Sequence, residues 1–260
     1  MDCENKYGTL DLQRELLIML KKLNEFCIEN DIRYSLAYGS LLGAIRHKGF
    51  IPWDDDVDVI MSREEFKKFQ RLIVYSPDFE WDYLSPKALW VGRVKSKQHK
   101  ENSTNIPPII DIFILDNVPD NKILAKFKLM MILFFMGTVK GKPDLSRFKF
   151  VMKLMAFCTW LFGLILPNKM KFTVIEKLSE MGNKKNTQKV SCYNTVFHYM
   201  GYTFSSQMMT DYKLMPFEDA SLMVMNGYDE FLTVNYGDYM TPPKDKFGHH
   251  LHPEYGFKYK

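Results

Sequence analysis

The sequence is poor in cysteine. Its four cysteines, Cys3, Cys27, Cys158 and Cys192, form no C-x-x-C pair and have no histidine at zinc spacing. That argues against a disulfide framework or a zinc site and suits a reducing cytosol. No apolar run reaches the ~18–20 residues that cross a bilayer. Residues 1–25 are charged and amphipathic, without the apolar stretch of a signal peptide. Disordered tracts are also missing: 46% apolar and 15% aromatic content over 260 residues fit one large globular domain or a domain with an insertion. Acidic residues are nearly absent from 121–172, which holds ten lysines and arginines against Asp144 alone, a local charge of +9. The rest holds 25 basic against 30 acidic residues, so the net +4 hides a strong asymmetry. Nucleic acid is a poor partner for that segment, because its aromatics lie in long apolar runs and do not alternate with the bases.

What the chain does have is an unusual concentration of aspartate. The stretch Tyr38–Met61 reads YGSLLGAIRHKGFIPWDDDVDVIM. On a strand, alternation would put Asp54, Asp56 and Asp58 on one face and Asp55 on the other. Like charges this close repel, and partial burial makes the repulsion worse. A divalent cation relieves it, since carboxylates are preferred ligands of Mg²⁺ and Mn²⁺. The alternative is a solvated acidic turn before a strand. Gly39-Ser40 precedes a short helical stretch, where backbone N–H groups and a hydroxyl can meet a phosphate. Downstream, Asp111 lies in the apolar run Ile109–Leu115, where a lone acid is costly unless paired or metal-bound. Asp116 has the character of a turn residue.

GSLLGAIRHKGFIPWDDDVDVIMSREEFKKF resembles the signature of the LicD family, which also includes the fukutin-related proteins. Further pieces resemble it too: Ile110–Asp116, Pro216-Phe217-Glu218 and Tyr236-Gly237-Asp238-Tyr239-Met240. The resemblance implies an α+β fold: a nucleotidyltransferase-like mixed sheet flanked by helices, here with an inserted basic and apolar helical segment. It implies transfer of a phospho-alcohol, such as phosphocholine, from a CDP-activated donor to a hydroxyl of a cell-surface glycan or its lipid-linked precursor. Lipopolysaccharide, teichoic acid and capsule are acceptors of that class.

On this basis Asp56, Asp58 and Asp111 are expected to hold Mg²⁺ or Mn²⁺ and carry catalysis. Gly39, Ser40, Arg46, Lys48 and Trp53 are expected at the donor phosphates or nucleotide, with Asp54 and Glu218 behind them. Arg46 is equally a cation at a helix C-terminus, and Trp53 equally packs the turn. Two other functions remain open: transfer of a nucleoside monophosphate with the same carboxylates, or a non-catalytic membrane-associated glycan-binding module.

Helices are expected over the amphipathic run from Leu12 to about Asn30, over 41–46, from about Arg63 to Val74 after the capping box Ser62–Glu65, after Phe217-Glu218, and over 228–236. Strands are expected over 32–38, the aspartate run, 89–94, 109–115 and 190–197. Residues 1–120 form the catalytic core, 121–172 the insertion and 173–260 the remainder of the same domain. Within the insertion, Leu129–Gly137 and Ala156–Leu166 are short apolar runs bracketed by lysines, with Gly141–Asp144 between. They fit either a hairpin lying on an anionic membrane surface or two ordinary core helices. The former places the protein on the inner face of the membrane. Tyr193, Phe197, His198, Tyr199, Tyr202 and Phe204 form an aromatic cluster that suits either a core or a quaternary ammonium group. His249, His250 and His252 near the end have no assigned role.

Overall fold

The structure, a computed structural model, describes residues 8–85, 90–97, 108–139, 150–183 and 186–241. Gly141–Asp144 and the three C-terminal histidines lie outside the described residues. Among the described residues, seven α-helices surround a mixed seven-stranded sheet, with a separate two-stranded hairpin at 212–225.

Helix α1 (Leu10–Glu29) buries Leu12, Leu16, Leu20 and Leu23 on one stripe. Strand β1 is only Ser35–Leu36, and helix α2 (Tyr38–Arg46) starts three residues earlier than the sequence suggests. Tyr38 takes a left-handed φ of +41°, so the chain turns there instead of continuing as a strand. Strand β2 (Val57–Ser62) leads into helix α3 (Arg63–Ile73), capped by Ser62, whose Oγ accepts the Glu65 N–H. Phe66, Phe69 and Ile73 form its buried stripe. Strands β3 (Phe79–Asp82), β4 (Gly92–Ser96) and β5 (Ile109–Val118) follow.

The sheet order is β1-β2-β5-β4-β3, with β6 (Lys189–Cys192) beside the distal half of β5 and β7 (Phe204–Ser205) beside β6. β2 and β5 run parallel, and their apolar faces explain why both are buried along most of their length. Helices α4 (Lys122–Val139), α5 (Phe150–Ile165) and α6 (Asn168–Ser179) come between β5 and β6. Strands β8 (Tyr212–Phe217) and β9 (Ala220–Met225) pair as a hairpin, and α7 (Tyr228–Tyr236) follows. Residues 218 and 219 thus form a hairpin turn, where the sequence suggested a helix start; Glu218 has φ +52°.

The large core lies between the sheet, α1, α3 and the β8–β9 hairpin. A smaller one gathers Ile132, Met136, Phe172, Tyr193 and Met200 under α4 and α6. Ion pairing joins the two. Asp116 is not a turn residue: it is buried within β5 and takes a two-pronged contact from Arg63 at 2.6 and 2.7 Å, and Arg63 also reaches Glu176 on α6. Lys128 is likewise withdrawn from the surface. Its Nζ donates to the carbonyls of Asn117, Ser179 and Met181 and lies 4.2 Å from the Tyr193 ring centre. Arg63→Ala should strand the Asp116 carboxylate and cost about 3–5 kcal/mol, measured as a lowered urea midpoint with an unchanged slope.

Candidate active site

The site forms where β2 and β5 begin side by side. Residues 54–56 precede the strand, so strand alternation does not apply to them. Asp55 is not turned to the opposite face: carboxylate oxygens of Asp54, Asp55 and Asp56 lie within 4.8 Å of one another. Asp58 is in β2, and its register partner on the parallel neighbour is Asp111. Partners in register on adjacent strands point to the same side. Asp54, Asp56, Asp58 and Asp111 therefore share one electrostatic neighbourhood. Asp56 is raised by the charges of Asp111 and Asp55, and Asp58 by those of Asp56, Asp111 and Asp54.

Lost hydration is the largest cause of every upward shift in this group. It pushes Asp54 and Asp58 well above the ordinary carboxylate range and Asp56 up to about 7. Asp56 is exposed, and solvent screens part of the repulsion on it. Asp111 is raised by burial as well, but Arg93 and Lys95 on β4 oppose the rise. Arg93 Nε donates to Asp111 Oδ1 at 3.2 Å.

Local structure is built around the Asp58 and Asp54 groups. The Tyr38 turn sets the first turn of α2 against β2. There Ser40, fully buried, accepts the Asp58 backbone N–H on its Oγ at 2.9 Å. The Gly39 N–H donates to the Asp58 carboxylate and favours its charged form. A Cβ on Gly39 would sit 2.9 Å from Asp54 Oδ2, so glycine permits the acid to lie against the helix backbone. From the other side, α1 braces the loop: Gln13 Nε2 donates to the carbonyls of Ile51 and Asp54, and Thr9 Oγ1 to that of Pro52. Asp54 Oδ2 is buried and has no hydrogen-bond partner among the described residues.

The remaining expected site residues are spread around this centre. Arg46 is half-buried and donates from Nη1 to the Tyr239 carbonyl at 3.2 Å. Lys48 is exposed, with φ +59°. Glu218 grips that loop: its N–H donates to the Lys48 carbonyl, and its carboxylate accepts the Phe50 N–H at 2.9 Å. A Cβ on Gly49 would come within 2.1 Å of Glu218 Oε1, so only glycine admits the clamp. Trp53 is half-buried at the edge of the large core.

Part of the aromatic cluster reaches the acids. Tyr193 and Phe204 are core residues, whereas Tyr199 and Tyr202 are half-buried. Tyr199 stands 5.5 Å from Tyr38 and 6.5 Å from Tyr236, ring centre to ring centre. The Tyr236 phenol is held neutral by burial first, then by Tyr199 and the charges of Asp58, Asp54 and Asp56. Sequence reasoning missed Tyr236, Arg93, Gln13 and Thr9 as individual site residues. Gln13 did leave a trace, as a polar residue beside the buried stripe of α1.

The donor set is all oxygen, carries excess negative charge and has a buried acceptor atom without a donor. Those features fit a hard divalent cation.

The site thus joins a parallel strand pair, clustered aspartates and a helix N-terminus within an α+β fold. Residues 31–126 match the family model described as LicD/FKTN/FKRP, nucleotidyltransferase domain. Over 95% of its length it is 29% identical to the lipopolysaccharide cholinephosphotransferase LicD of Haemophilus influenzae, of which it covers 98%. Shorter likenesses occur to uncharacterized proteins of Rickettsia typhi, 40% identical over 21% of this chain and 18% of that protein, and Rickettsia prowazekii, 39% over 24% and 22%.

Metal-free protein should lose stability as pH rises from about 4, the ordinary aspartate value, through the raised value of about 7 for Asp56. In that window the folded state holds protons that the unfolded state has released, so stability falls with pH. Asp58→Asn should flatten the decline and raise the melting temperature in EDTA. Thermal scans across this pH range, with and without Mg²⁺, check it; Mg²⁺ should stabilise the wild type most at high pH.

Proposed function

We propose that the protein transfers phosphocholine from a CDP-activated donor to a hydroxyl of a lipopolysaccharide-type glycan. The observation that carries this reading is the convergence of Asp56, Asp58 and Asp111, with the partnerless Asp54 oxygen beside them. Near-complete coverage of the Haemophilus relative supports the choice of phosphocholine and acceptor class.

Asp56 and Asp58 would hold Mg²⁺ or Mn²⁺, with Asp54 and Asp111 completing the oxygen set. Such an ion supplies Lewis-acid polarisation of the donor phosphate and neutralises charge on departing CMP. The chain's own residues orient and neutralise. Gly39 and Ser40 fix Asp58 through its carboxylate and its backbone. Arg93 and Lys95 on β4, with Arg46 and Lys48 at the end of α2 and in the loop after it, would neutralise non-bridging phosphate oxygens. In the reaction, the acceptor oxygen attacks the phosphorus that carries choline. A new P–O bond forms, the P–O bond to CMP breaks, and Asp111 takes the hydroxyl proton. A carboxylate whose proton affinity is raised by burial is a better base for that task. The faces of Tyr199, Tyr202 and Tyr236 suit the trimethylammonium head, since aromatic faces attract such cations.

With CDP-choline, Mg²⁺ and an acceptor glycan, CMP and a phosphocholine-bearing product should appear together. Asp58→Asn and Asp111→Asn should each lower the rate at least about a hundredfold, the order expected when a proton acceptor or its equivalent is removed. Near wild-type turnover in either would rule out the assignment. A product carrying CMP on the glycan, by mass, would instead establish nucleotidyl transfer. Tyr199→Ala should raise KM for CDP-choline about five- to thirtyfold, as expected from a cation–π contact of about 1–2 kcal/mol. It should leave KM for CDP-glycerol little changed.

A further inference from the structure

Eleven of the twenty exposed large apolar side chains among the described residues fall between 123 and 170. They are ordered. On α4, Ile123, Phe127 and Met130 recur at helical spacing; on α5, Phe157, Leu161 and Ile165 do the same. Helix α5 reads FVMKLMAFCTWLFGLI, yet among its described side chains only the Gly163 position is buried. A helix apolar all round is stable only with its surface covered. Its packing on α4 uses small residues: a Cβ on Gly163 would meet the Thr138 carbonyl at 2.4 Å, and one on Gly137 would meet Thr159 Oγ1 at 3.1 Å. Close approach of the two backbones leaves the large side chains outward. The inner face of α4 is already used, with Ile132 and Met136 packed against Tyr193 and Met200.

Charge selects the occupant. Helices α4 and α5 contain no aspartate or glutamate, and Lys122, Lys126 and Lys169 are exposed beside the apolar face. A second copy of the chain would bring two segments of +9 together and be repelled. No helix of the described residues is long and apolar enough to cross a membrane. We propose that the α4/α5 hairpin seats the protein on the surface of an anionic phospholipid bilayer, with the apolar face in the headgroup boundary and the lysines on the lipid phosphates. Lys128 and Lys171 take no part, because both are buried. The inference stands apart from the reaction proposed above, since its test reads no chemistry.

The full chain should sediment with phosphatidylglycerol-containing vesicles and not with pure phosphatidylcholine vesicles, and salt should weaken the binding. The exposed-face triple variant Phe127→Glu, Leu161→Glu, Ile165→Glu should abolish sedimentation. The triple reversal Lys122→Glu, Lys126→Glu, Lys169→Glu should lower the partition coefficient about a hundredfold or more. Both should keep the wild-type far-ultraviolet circular dichroism spectrum, so that lost sedimentation reports lost membrane contact and not unfolding. Wild-type protein that stays in the supernatant with anionic vesicles overturns the proposal, as does sedimentation unchanged in both variants. So does light scattering that shows a wild-type dimer split by the apolar triple, with no vesicle binding.

Discussion

Repulsion among carboxylates governs this molecule. Asp54, Asp56 and Asp58 fall within five consecutive residues, and the parallel strand pair adds Asp111. Among the described residues, no lysine or arginine pairs with Asp54, Asp56 or Asp58. The surrounding scaffold meets the constraint by fixing backbone instead of cancelling charge. Ser40 holds the Asp58 N–H, Gln13 holds two loop carbonyls, and Glu218 grips residues 48–50 from the β8–β9 hairpin. The acids are thus kept close by elements remote in sequence, at a cost to the metal-free fold. A strained Tyr38 turn lies at the same place, consistent with strain concentrating at functional sites.

The segment after β6 joins this centre to the rest of the molecule. Thr195 accepts a hydrogen bond from the Tyr38 hydroxyl on its Oγ1, and its carbonyl accepts one from the Trp90 indole N–H. Asn194 reaches into the sheet, donating to the Ile112 carbonyl and accepting from the Ile114 N–H. On its far side the segment packs under α4. The candidate site and the α4–α6 helices therefore share one wall, and the small core under α4 and α6 supports the aromatics beside Tyr38 as well as the α4/α5 hairpin.

Much of this centre was legible because two local signals coincide. An acid inside an apolar strand and a run of acids before one are each costly alone, and a parallel sheet brings such positions together. The helix starting at Tyr38 was not legible, since its onset depends on a left-handed φ imposed by enclosure among Phe113, Tyr199 and Phe231. Asp116 looked like punctuation because its partner, Arg63, is 53 residues away. Lys128 looked like one of a basic cluster, because composition cannot show a lysine capping three carbonyls. Arg93 carried no local signal at all: its importance comes from facing Asp111 across the β4–β5 pairing.

That pairing divides the acids by role. Asp111 has protein cations beside it in Arg93 and Lys95, whereas among the described residues no lysine or arginine offsets the charge of Asp54, Asp56 or Asp58. A group already offset by an arginine gains less from a metal ion than one that is not. On the proposed reading, a divalent cation would therefore be favoured most along residues 54–58 and least at Asp111. On the proposed reading, Asp111 is the carboxylate best placed to exchange a proton with the acceptor hydroxyl, since it does so without giving up a metal bond that the other three need more.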